Sequence, residues 1–133
     1  MGKKQYSLNH ALHNEEVCKY LDKRTDFTDW VITTAFYSSL HFVYYKIFQI
    51  TTKSKIYNDF DKYYNNNNPQ DLSPHKFTSK LIEEKHPYIA AYYNKLKDIC
   101  WTARYHNYNY SKEYSDEAKE LLRRIKNYCI KKK

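Results

Sequence analysis

The chain has 133 residues with one glycine, three prolines and 16 tyrosines, and Lys plus Arg outnumber Asp plus Glu by 23 to 15. That length suits one domain with a core of its own, residues 1–133, and leaves little room for a second. A net charge of +8 at pH 7 favours polyanions over acidic surfaces, although AT-rich coding supplies Lys, Asn, Tyr and Ile without functional pressure.

The scarcity of glycine and proline, with long runs at a 3.6-residue period, predicts an all-α, all-helical bundle rather than a sheet. Asn9 can cap the first, whose stripe is Leu12, Val17, Cys18 and Leu21. Asp26 or Thr28 opens the longest helix, running to about Gln49. Its positions Trp30, Thr33, Tyr37, Leu40, His41, Tyr44, Ile47 and Phe48 recur at helical spacing. Val31, Ala35, Phe42 and Val43 make this helix apolar over more than one face, as expected of a central element.

Residues 52–72 read as a mobile loop, with a short amphipathic turn through Ile56, Tyr57 and Phe60 before the Asn65–Asn68 run. Ser73-Pro74 restarts helix, Ser as cap and Pro at the first position, with Phe77, Leu81 and Ile82 inward; Pro87 ends it. From Tyr88 a further helix carries Ile89, Tyr92, Leu96, Ile99, Cys100 and Ala103 on one side, to about Tyr105. The last starts at Ser111 or Ser115 and buries Ala118, Leu121, Leu122, Ile125, Tyr128 and Cys129. Its acidic start and its Arg123, Arg124, Lys126 and basic tail at 130–133 complement the helix dipole, which accounts for those cations before any ligand is invoked.

Cys18, Cys100 and Cys129 fall on apolar positions, far apart, and read as buried thiols. With no signal core and no run near the roughly 20 apolar residues of a membrane span, the expected setting is soluble and cytoplasmic, without membrane contact. No zinc spacing, phosphate-cradling glycine loop, nucleophile elbow or calcium loop is present, so no metal or cofactor is expected. Glu15-Glu16 and Glu83-Glu84 are neighbours on different helix faces and read as solvated. His10 and His13 share a face but make only two ligands. His41 on the central stripe reads as a core histidine or a catalytic one.

The stretch Ala103–Ser111 concentrates Arg104, His106 and the tyrosines 105, 108 and 110 between two helices. Arg suits phosphate, His carries a proton near neutrality, and Tyr rings stack on bases or cap a core with wet hydroxyls.

Asp29-Trp30 at the mouth of a long helix, Ala35-Phe36-Tyr37-Ser38-Ser39-Leu40-His41, a Ser-Pro-His before the next helix, and Ala103-Arg104-Tyr105 ahead of Ser111-x-x-Tyr114 together resemble a HEPN domain, over about residues 9 to 129. The resemblance implies an up-and-down bundle of four to five helices that commonly dimerises around a shared cleft. Many such domains are metal-independent endoribonucleases of toxin–antitoxin or antiviral defence systems, and others only bind RNA or nucleotides. Carried onto this chain, it makes Arg104 the stabiliser of phosphate charge, His106 or His41 the proton carrier, and Tyr105 and Tyr108 base-stacking groups. Arg123, Arg124 and Lys126 become candidate backbone contacts. Active members carry a histidine after Arg and four to six residues; the matching positions here hold Asn109, Tyr110 and Ser111.

Two other readings stand beside this one. The first is a non-catalytic dimeric module whose Tyr-rich crossover docks a protein such as an antitoxin or other defence partner. The second is a nucleotide-binding helical domain with a pocket lined by His41, Trp101 and Tyr residues.

Overall fold

The computed structural model describes residues 2–24, 26–106 and 111–131. Among them are six helices: α1 (Lys3–Leu21), α2 (Thr28–Ile47), α3 (Phe60–Asn66), α4 (Pro74–Lys85), α5 (Pro87–Tyr105) and α6 (Lys112–Ile130). A two-stranded antiparallel ribbon, β1 (Ile50–Thr51) and β2 (Ile56–Tyr57), pairs Ile50 with Tyr57. The all-α bundle expected from composition is present, with α3 an additional short helix.

Helix α2 is the centre, packed against α1, α5 and α6. Its Val31, Ile32, Ala35 and Phe42 are wholly buried, and they meet Leu96 and Ile89 of α5 and Ala118 and Ile125 of α6. Small side chains hold α1 close. Ser38 Oγ donates to the Ala11 carbonyl at 2.8 Å, so a hydroxyl at the crossing is satisfied without a water.

Helix α1 departs from the expected pattern. It begins at Lys3 rather than Asn9, and its buried face is Ala11, Glu15 and Cys18, while Leu12 is exposed. Glu15 is therefore not solvated. Lys126 of α6 reaches its carboxylate at 2.9 and 3.1 Å, a charge pair that makes burial of the acid tolerable. On α5 the inward tyrosine is Tyr93, not Tyr92, and Trp30 of α2 turns outward. The three cysteines are buried as expected, and burial pushes the Cys100 thiol up to about 11 and that of Cys129 to about 12.

The segment at 52–72, expected as a loop, carries β2 and α3, and aromatic packing and amide hydrogen bonds tie it to the bundle. Phe60 stacks on Tyr44 and Tyr64, with ring centroids 4.8 and 5.3 Å apart, and Phe77 closes the cluster edge-on. Asp59 caps α3 by accepting from the Lys62 N–H at 3.0 Å. The Asn68 side chain both donates to the Leu72 carbonyl and accepts its N–H, standing in for a missing strand partner. Ser73 caps α4 and Pro74 fills its first position.

Candidate functional site

Three helices bring the site together. On α2, Trp30, Tyr37 and His41 follow one another at i, i+7 and i+11, so they lie along one face. On α1, His10 and Asn14 are one turn apart and meet that face. Arg104 stands in the last turn of α5, where a cation is favoured by the helix dipole. Together they line a concave site of about 370 Å³.

Arg104 is exposed and makes no ion pair among the described residues. Its Nη1 donates to the Tyr37 hydroxyl at 2.7 Å, and its guanidinium carbon lies 5.8 Å from the Tyr37 ring and 5.1 Å from that of Tyr105. An arginine bracing the scaffold would be tied to a carboxylate such as Asp29, whereas this one is steadied by a neutral hydroxyl and by ring faces. Most of its donors are left for an incoming anion.

Beside it, His10 and His41 are stacked, with ring centroids 3.7 Å apart and planes at 20°. Burial, and secondarily the neighbouring His10, pull the basicity of His41 down from 6.5 to about 4. His41 is thus a neutral imidazole at pH 7, able to accept a proton. It is not a sealed core histidine, since it lines the open cavity.

The low basicity of His41 sets a pH dependence of stability. Between about 6.5 and about 4 the unfolded chain binds a proton at this position and the folded chain does not, so stability present above pH 6.5 declines as the pH falls through that window. We expect the melting temperature to drop more between pH 7 and pH 5 in the wild type than in His41→Asn. His75 and His86, also depressed by burial, remain in both proteins and cancel in the comparison. Parallel drops would show that His41 ionises alike folded and unfolded.

The other sequence-derived candidates are placed differently. His106 caps α5, and its Nε2 accepts from the Trp101 indole N–H at 3.2 Å, so it does not join His41 around the cavity. Tyr105 is exposed next to Arg104, whereas Tyr108 lies outside the described residues. Lys126 is paired with Glu15 at 2.9 Å and lies largely buried, away from Arg104.

Arg123 and Arg124 are on a separate surface, a groove of about 740 Å³ also lined by Lys46, Tyr88, Tyr92 and Lys131. Both guanidiniums share the single carboxylate of Glu120, which Arg123 chiefly, and Arg124 after it, hold down to about 2. One acid between two cations leaves net positive charge there. Among the described residues, no carboxylate lines the groove itself.

Sequence reasoning passed over His10 and Tyr37 as site residues. Tyr37 stands one turn before His41, a spacing that puts both on one face, and this was a usable signal. For His10 there was none, because its partner lies on another helix. No cluster of three or more metal-ligating side chains occurs among the described residues, and no described helix is long and apolar enough to cross a membrane. No family model matches the chain, and no curated protein or solved structure matches it either.

Proposed function

We propose that the chain is an RNA-directed protein resembling the HEPN domains, acting as a metal-independent endoribonuclease at the Arg104 site. The observation that supports this best is an exposed arginine, free of carboxylates among the described residues, lining one cavity with a stacked pair of imidazoles. In this reading the ribose 2′-hydroxyl attacks the adjacent phosphorus. The new 2′-O–P bond forms as the P–O5′ bond breaks, leaving a 2′,3′-cyclic phosphate and a 5′-hydroxyl. Neutral His41 takes the 2′-hydroxyl proton, and His10 or water returns one to the leaving oxygen. Arg104 stabilises charge on the non-bridging oxygens. The resemblance adds a homodimer and a toxin–antitoxin or antiviral defence setting.

A second reading, RNA binding without cleavage, is favoured by His106 being engaged with Trp101 and by the weak basicity of His41. Incubating the purified chain with tRNA and mRNA at low salt, with EDTA present, tests both. Fragments ending in cyclic phosphate support the endoribonuclease, and a salt-sensitive mobility shift with intact RNA supports the binder. Intact RNA with no shift rejects RNA as the target.

A further inference from the structure

Arg104 and Tyr37 stand between two cavities. Behind them, away from the imidazole pair, is a second concavity of about 420 Å³ lined by Phe36, His75, Lys97, Asp98, Trp101 and Tyr105. Its volume falls within the range of small-molecule sites. Trp101 and Tyr105 are 59% and 56% exposed, with ring centroids 4.5 Å apart. Such large ring surface left in water beside a cation is unusual for a side chain that serves packing alone. Phe36, buried against Tyr93 at 5.5 Å, supplies an apolar wall, and the His75 ring lies 5.6 Å from it. Lys97 is occupied by the Ser79 hydroxyl at 3.0 Å. Asp98 is the one carboxylate among the lining residues and makes no ion pair among the described residues.

We propose that this second cavity is a nucleobase pocket: with an RNA phosphate on Arg104, the base of the adjoining nucleotide leaves the strand, packs on Trp101 and Tyr105, and donates its exocyclic amine to Asp98. The inference rests on the reading that Arg104 seats an RNA phosphate. Its chemistry follows from the lining. Indole and phenol faces stack on any base, whereas a lone carboxylate at the rim favours adenine, cytosine and guanine, which offer an exocyclic amine, over uracil, whose one base donor, N3–H, is flanked by two carbonyls that the carboxylate repels. Single-stranded RNA is the occupant this fits, because an unpaired base swings out at low cost.

The test uses 2′-O-methyl hexanucleotides of A, C and U, which cannot be cut by 2′-hydroxyl attack, in equilibrium binding to the full chain at low salt. Oligo-A and oligo-C are expected to bind about tenfold more tightly than oligo-U, and Asp98→Ala to erase that preference. Trp101→Ala should weaken oligo-A and oligo-C about tenfold or more, the range measured for loss of one base–aromatic stack, without changing competition by inorganic phosphate. Asp98 and Trp101 are exposed, so melting curves should show the variants folded. Equal affinity for all three oligonucleotides, or full affinity in Trp101→Ala, overturns the pocket while Arg104-dependent binding persists. If no oligonucleotide binds the wild type, the RNA reading and the pocket fall together.

Discussion

On the ribonuclease proposal, replacing Arg104 by alanine is expected to lower the single-turnover rate of RNA cleavage by about two to three orders of magnitude, the usual loss when one donor to transition-state charge is removed. The fold should not notice. The side chain is exposed, its one described hydrogen bond is to the Tyr37 hydroxyl, and no carboxylate is orphaned by its removal. Unfolding in urea should therefore stay within about 0.5 kcal/mol of wild type, as for an ordinary surface change. Arg104→Lys should recover only part of the rate, because an ammonium restores charge but not the planar fork that spans two phosphate oxygens. Wild-type cleavage by Arg104→Ala would place the phosphate elsewhere, the Arg123–Arg124 groove being the next surface to probe.

The opposite profile is expected at Phe42. Its ring is entirely buried on α2 and lies 5.9 Å below the Lys126 ammonium. Phe42→Ala should cost about 3–5 kcal/mol, the sum of lost transfer energy and the cavity left behind. Against the 5–15 kcal/mol typical of a whole domain, that is a large share. Urea unfolding followed by circular dichroism measures it, and RNA affinity should fall only where the folded fraction falls. A midpoint unchanged from wild type would mean that the core is not organised around α2.

The bundle was legible in the sequence where signals are local. Ser73-Pro74 states a helix start by itself, since a hydroxyl cap and a residue lacking an N–H suit the same two positions. Pro87 likewise marks where α4 must give way to α5. Helix α1 was read less well because its buried face is built from Ala11, Glu15 and Cys18, and an acid that is tolerable only beside Lys126 looks like surface in one dimension. The Asn65–Asn68 run hid a helix end for a related reason, since α3 reaches Asn66. Asparagine marks irregular backbone, and here the Asn68 amide completes the hydrogen bonding of that backbone.

At the site, Arg104 was legible as an outward-facing cation at the end of a helix. The His10–His41 stack was not. Periodicity assigns faces within a helix but says nothing of which faces meet, so His10 was paired on paper with His13, and His41 with its own apolar neighbours. Contact between α1 and α2 is a long-range fact, decided by how Ala11 and Ser38 let the two backbones approach.

Because α2 gives Phe42 and Val43 to the interior and Tyr37 and His41 to the cavity, nearly every position from 30 to 47 answers to one demand or the other. A change in the cavity wall along α2 therefore also disturbs the core packed behind it. The outer turns of α5 differ, since Asp98, Trp101 and Tyr105 are exposed there and can be exchanged at little structural risk.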